Sequence, residues 1–195
     1  MRDMTTPSRN APDVERGFTL VELLMVVVIM AAMFAFTAPM LRISPQRRVQ
    51  SAARQMASDL ELTRTRAMAT KAVARLAFDQ GAGTYIGYLD HDADGTITQI
   101  AAETQALGGF GQRALNANVV FGRGNAGAAP GDTMPGAITF PGSRIEFDSR
   151  GVTQPFGTRG TIYLTHANDA DAVTAVSISG SASFKVWIWR GSSWE

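Results

Sequence analysis

Three aspartates at alternate positions closed by a glycine, Asp90-His91-Asp92-Ala93-Asp94-Gly95, are the residues of this 195-residue chain best spaced to gather a cation. Asp-x-Asp-x-Asp converges carboxylate oxygens, and the glycine permits the sharp turn that a calcium loop needs. The match stops there: the twelfth position is Ala101 in place of a closing glutamate, and Glu103 stands two places late. The flanks, Tyr85–Leu89 and Thr96–Ile100, read as strands, which excludes an EF-hand. Two readings remain: a weak calcium site through Asp90, Asp92 and Asp94, and a solvated hairpin turn in which Asp and Gly serve the backbone alone.

Other constellations are poorer. Gly122-x-Gly124-x-x-Gly127 meets the dinucleotide spacing on paper, but AAPGDTMPG follows where a helix N-terminus would have to hold the pyrophosphate. The stretch 122–136 therefore reads as a long flexible connection. Zero cysteines exclude disulfides, thiolate zinc sites and cysteine nucleophiles. His91 and His166 stand outside any motif, and Glu146/Asp148 and Asp169/Asp171 read as strand-end and turn residues. No nucleophile elbow, catalytic triad or metalloprotease helix appears, so catalysis and a small-molecule substrate are not expected and no resident cofactor is implied beyond the calcium candidate.

The elements that would carry these residues follow from charge and period. Net charge is +1, with 18 basic and 17 acidic side chains, yet the charge is segregated. Residues 42–75 hold eight basic groups against Asp59 and Glu61, whereas residues 76–195 hold seven against eleven acids, together with most of the 19 glycines. Between Glu22 and Arg42 lie 19 uncharged residues, LLMVVVIMAAMFAFTAPML, enough for a helix across a hydrocarbon core of ~30 Å. Glu22 sits just inside that apolar edge. It is either a functional carboxylate in need of a partner or a glutamate snorkelling to headgroups.

From 47 to 75 apolar and small residues recur at three- and four-residue steps: Val49, Ala52, Ala53, Met56, Leu60, Thr63, Ala67, Thr70 and Ala74. Glu61 and Arg64 are spaced for an i,i+3 pair. Joined to the apolar segment, Phe18 to Ala74 would make a rod of roughly 85 Å at 1.5 Å per residue. Beyond it, VARLAFD, TYIGYLD, TITQIA, NVVF, AITF, RIEFD, GTIYLT, AVTAVSIS and SFKVWIW are short β-rich runs between turn residues. The expected class is α+β: a long N-terminal helix, transmembrane then amphipathic, packed on an antiparallel β-sheet or sandwich. Its expected parts are a leader over 1–17, a transmembrane helix over 18–46, a stem over 47–77 and a β-rich domain over 78–195.

Arg16-Gly17-Phe18-Thr19-Leu20-Val21-Glu22-Leu23-Leu24 resembles the signal of type IV pilins and pseudopilins: a short polar leader ending in Gly, then Phe, a Glu five residues into the mature chain, and an apolar helix. Pro39 falls where many pilins place a kinking proline. The resemblance implies cleavage by prepilin peptidase between Gly17 and Phe18, N-methylation of Phe18, and an assembly role for Glu22. It also implies a single-pass inner-membrane protein whose globular domain is periplasmic. The Lys and Arg count on the two flanks points the opposite way, to a cytoplasmic C-terminal domain.

SAARQMASDLELTRTRAMATKAVARLAFD and IEFDSRGVTQPFGTRGTIYL resemble, more loosely, the family uniting the minor pseudopilin H of type II secretion with FimT-type minor pilins. That likeness implies a pseudopilus subunit whose partners are other minor and major pseudopilins, or alternatively a minor pilin of a type IV pilus or DNA-uptake apparatus. DNA is a poor partner on charge: the tail SGSASFKVWIWRGSSWE carries only Lys185 and Arg190 against Glu195. Trp187 and Trp189, two apart, would face one side of a strand, as core or as a partner-facing anchor.

Overall fold

The computed structural model describes residues 18–37, 44–106 and 111–195. The chain divides into two units, Met1–Arg42 and Ile43–Glu195. In the first, α1 spans Leu20–Thr37. Every side chain from Leu20 to Ala35 is exposed, and a helix apolar all round is stable only where lipid or other protein covers it.

The second unit opens with α2, Pro45–Thr70. Its start has a clear local cause. Proline at 45 lacks the N–H that a first helical turn leaves unsatisfied, and it pushes the preceding residue to extended backbone. Ser44 is accordingly extended (φ −62°, ψ 148°), and its hydroxyl accepts from the Arg47 amide at 3.4 Å. The expected uninterrupted rod from Phe18 to Ala74 is therefore broken at Ser44. Its other end is also earlier than expected: Lys71 turns left-handed (φ 56°), the Ala72 amide returns to the Ala67 carbonyl at 3.2 Å, and β1 (Ala74–Asp79) begins inside the expected stem of 47–77. Pro39 and the rest of 38–43 lie outside the described residues.

Two antiparallel sheets receive α2. The first has the order β3-β2-β1-β5-β6, with β2 at Thr84–Leu89, β3 at Arg113–Ala114, β5 at Arg144–Phe147 and β6 at Thr153–Gln154. The second has the order β4-β7-β8-β9, with β4 at Val119–Phe121, β7 at Gly160–His166, β8 at Asp169–Ile178 and β9 at Phe184–Ile188. The stripe read from the sequence is the buried one: Val49, Ala52, Ala53, Met56, Leu60, Thr63 and Ala67 all face a core shared with Leu76, Ile145, Phe147, Ile162, Leu164 and Val176. Thr70 and Ala74 leave the stripe, as an exposed last helical residue and a strand residue.

One polar residue interrupts that stripe. Asp59, 2% exposed, accepts from the Tyr85 hydroxyl at 2.6 Å and from Gln55 Nε2 at 3.1 Å, and lies 3.4 Å from Arg113 Nε. The clamp ties the stem to β2 and β3. Glu61 and Arg64 do pair, at 3.6 Å, and Arg64 also reaches the Gly151 carbonyl at 2.8 Å. Gly151 lies so close to Met68 that a Cβ there would meet its sulfur at 2.5 Å.

Three expectations fail here. Thr96–Ile100 is not a strand: those residues are irregular and lead into a short helix, α3, Ala101–Ala106. AITF contributes only an isolated bridge, Ile138 to Ile162. The 122–136 connection is held in place, not loose. Its Arg123 guanidinium lies 4.2 Å over the Tyr163 ring, bonds Asp132 at 2.9 Å, and donates to the carbonyls of Gly136 and Met134. The Tyr163 hydroxyl donates to Asp132 at 2.5 Å and accepts from the Ala129 amide at 2.8 Å. A Cβ on Gly124 would stand 2.1 Å from the Ala170 carbonyl, so the close approach to β8 requires glycine.

Both clamped tyrosines resist ionisation. Burial raises Tyr85 most and the Asp59 bond adds to it; burial and Asp132 push Tyr163 up to about 12, against the opposing bond from the Ala129 amide. A phenol with a raised folded-state pKa stabilises the fold fully below its unfolded value of ~10 and loses that contribution as pH rises toward the folded value. Denaturant midpoints should therefore fall between pH ~10 and ~12. Tyr163→Phe with Tyr85→Phe should flatten that fall; an unchanged alkaline slope in the double variant contradicts the assignment.

Candidate functional site

Two sets of residues carry the sequence's functional expectations. The first is the N-terminal segment. Thr19 caps α1: its hydroxyl accepts from the Glu22 amide at 3.2 Å, and its carbonyl accepts from the Leu23 amide at 3.1 Å. Thr19-Leu20-Val21-Glu22 is thus spaced as a capping box, Ser/Thr at the cap and Glu three residues on. That spacing was readable in the sequence and supplies a local reason for Glu22 beside any assembly role, since a carboxylate in the first turn also suits the helix dipole. Phe18 precedes the cap and is 82% exposed. Gly17 lies outside the described residues, with the rest of the expected leader.

Among the described residues no helix is long and apolar enough to cross a membrane. The 18 residues of α1 span about 27 Å at 1.5 Å each, short of a ~30 Å core. The end of the apolar run, residues 38–41, lies outside the described residues.

The second set is the 90–95 turn, where the structure brings all three aspartates together. One carboxylate oxygen from each of Asp90, Asp92 and Asp94 lies within 4.8 Å of the other two. Asp90 is buried, its amide bonding the Val73 carbonyl at 2.9 Å and its Oδ2 accepting from the Gly95 amide at 2.8 Å. Asp94 Oδ1 accepts from the Thr96 hydroxyl at 2.6 Å and its amide at 2.8 Å, which lowers its pKa. Ala93 and Gly95 both take positive φ to close the turn.

Glu103 is not a late fourth ligand. It is 2% exposed, and its carboxylate accepts from the amides of Thr98, Gln99 and Ile100 at 2.9, 2.6 and 3.2 Å, capping α3 and pinning the exit of the turn. Sequence reasoning missed this role, although Gln99-Ile100-Ala101-Ala102-Glu103 places the acid in the first turn of a helix.

The remaining candidates are structural. Glu146 bonds Arg75 at 2.8 Å. Asp148 accepts from the amides of Arg150 and Val152 and from the Arg150 side chain; burial opposes these bonds, yet its pKa is lowered. Asp169 accepts from the Asp171 amide, and Asn125 donates to Asp171. His166 is buried, its Nδ1 accepting from the Asn168 amide at 3.2 Å, and His91 is exposed. No helix follows the Gly122–Gly127 segment.

The tryptophans lie on the face of the second sheet that carries Tyr163, away from the shared core. Trp187 stands opposite Ala175, which stands opposite Tyr163, and Trp194 packs on the same cluster. Trp187 Nε1 donates to Ser177 at 2.8 Å, and Trp189 and Trp194 pair at 5.3 Å as the chain end folds back on Ile188.

Comparison with protein families bears on the N-terminal segment. Residues 13–38 match the model of the prokaryotic N-terminal methylation motif. The segment is similar to that motif. It contains the Gly17-Phe18 junction, the Thr19 cap and Glu22, so the features described above fall within a single match. No curated protein matches the chain.

Among solved structures, the type IV minor pilin FimU of Pseudomonas aeruginosa strain PAO1 is 15% identical over 75% of this chain and 92% of its own, with a TM-score of 0.46. The minor pseudopilin EpsH of the Vibrio cholerae type 2 secretion system is 11% identical over 74% of this chain and 98% of its own, with a TM-score of 0.47. At those values neither likeness carries a functional argument.

The motif's helix start gives a direct test. Thr19→Val keeps the shape of the side chain but removes the capping hydroxyl, at about 1 kcal/mol. In detergent micelles the Glu22 amide should exchange about fivefold faster in Thr19→Val and at the wild-type rate in Thr19→Ser. Equal exchange in all three proteins rules out the cap.

Proposed function

We propose that the chain is a pilin-like structural subunit, cleaved after Gly17, methylated on Phe18 and held by α1 in the inner membrane with residues 43–195 in the periplasm. The observation that supports it best is the match of residues 13–38 to the methylation motif, a stretch that contains the Gly-Phe junction, Glu22 and the exposed apolar residues of α1. Lipid or neighbouring subunits would cover that helix, whose apolar run continues to Leu41. The finer reading is an H-like minor pseudopilin of a type II secretion system, working with prepilin peptidase and the other pseudopilins. It rests on the residue likeness of the stem-to-strand and IEFDSRGVTQPFGTRGTIYL segments.

In this reading Glu22 neutralises the N-terminal amine of an adjoining subunit. Neither charge is cheap to hold in lipid alone, and together they satisfy one another. The globular unit, in this reading, presents surfaces to neighbouring subunits.

Glu22→Gln should leave processing and membrane insertion intact and reduce crosslinking to partner pseudopilins at least tenfold. A reporter fused after Glu195 should be active in the periplasm only. Wild-type crosslinking by the variant, or a reporter active only in the cytoplasm, contradicts the proposal.

A further inference from the structure

The 90–95 turn holds more negative charge than its protein partners satisfy. Asp90 is 2% exposed, and its Oδ1 is fully buried with no hydrogen-bond partner. A buried carboxylate oxygen with no donor carries a large desolvation penalty, so such an atom points to a missing positive partner. The same residue offers an oxygen within 4.8 Å of those of Asp92 and Asp94, which are exposed. A small cavity of about 120 Å³ is lined by Asp90, Ala93 and Gly95 together with Lys71, Asp148 and Ser149. Among the described residues that line it Lys71 is the one cation, and Asp148 is already bonded by Arg150 and two amides.

We propose that Asp90, Asp92 and Asp94 form a calcium site that fixes the loop between β2 and α3. Calcium takes oxygen ligands at about 2.3–2.6 Å, so ligand oxygens on opposite sides of one ion stand up to ~5 Å apart. The observed separations fit inside one such shell. Magnesium demands a near-ideal octahedron and gives up its waters reluctantly, so an irregular turn of three carboxylates suits it less well. The buried Asp90 supplies one ligand, and the exposed Asp92 and Asp94 supply the other two.

Glu103, spent on the amides of Thr98 to Ile100, cannot close the site as a bidentate ligand, so water completes the shell. Affinity is correspondingly low, in the ~0.1–1 mM range of extracellular calcium modules.

The test uses the full chain in detergent micelles, stripped with chelator and titrated with calcium by calorimetry and thermal melting. At tenfold excess over the dissociation constant, calcium should raise the midpoint by about 3–6 °C, and chelator should reverse it. Magnesium at equal concentration should shift it far less. Asp92→Asn with Asp94→Asn should abolish the shift while melting, ion-free, at or above the wild-type midpoint, because repulsion is relieved. Since Asp94→Asn also weakens the Thr96 bonds, Asp92→Asn alone is the companion variant, with binding about tenfold weaker. No calcium shift, an equal magnesium shift, or a full shift in either variant overturns the site.

Discussion

Burial of one face of α2 against two sheets is the constraint from which the globular unit follows. Neither sheet covers its own apolar face, and α2 alone carries a stripe long enough to serve both. Val49, Met56 and Leu60 are completely buried, each contributing about 1.5–3 kcal/mol by transfer from water. A domain is stable by only ~5–15 kcal/mol, so this one helix decides whether the unit folds. Asp59 sets the register of that packing. A carboxylate in the middle of an apolar stripe is tolerable only where Tyr85, Gln55 and Arg113 meet it, which fixes the stem against β2 and β3.

The second sheet repeats the device on its other face at smaller scale. Tyr163, Ala175 and Trp187 would leave an apolar patch in water, and the 122–136 segment and the returning C-terminus cover it. A Gly- and Pro-rich stretch with little apolar content can do this because polar bonds, not packing, hold it. Arg123 bridges Tyr163, Asp132 and two carbonyls, and the tyrosine hydroxyl closes the ring of contacts. The tryptophans are half-buried on this outer face of the second sheet, packed on Tyr163 and on one another outside the shared core.

Periodicity made the α2 stripe and most strands legible, since both depend on local spacing. The helix ends were less so: the break at Ser44 was visible in Ser-Pro, but an unbroken apolar and small-residue stripe argued for a continuous rod. Thr96–Ile100 looked like a strand because Thr and Ile favour one, yet Glu103 captures their amides from four to five residues away. The ordering of 122–136 was hidden because it rests on Tyr163, about thirty residues downstream. The N-terminal signal was the most legible part of all, being a short pattern with a local purpose at each position. The convergence of the three aspartates was legible from spacing, while the unpartnered Asp90 oxygen needed the fold.

The central claim is that the N-terminal segment is a processing and assembly signal and not merely a hydrophobic anchor. Intact-mass and N-terminal fragment mass spectrometry of the protein recovered from membranes that contain prepilin peptidase tests it most directly. The account predicts a chain beginning at Phe18 and heavier by one methyl group on its amine. A chain that retains residues 1–17, or one cut elsewhere and left unmethylated, contradicts it.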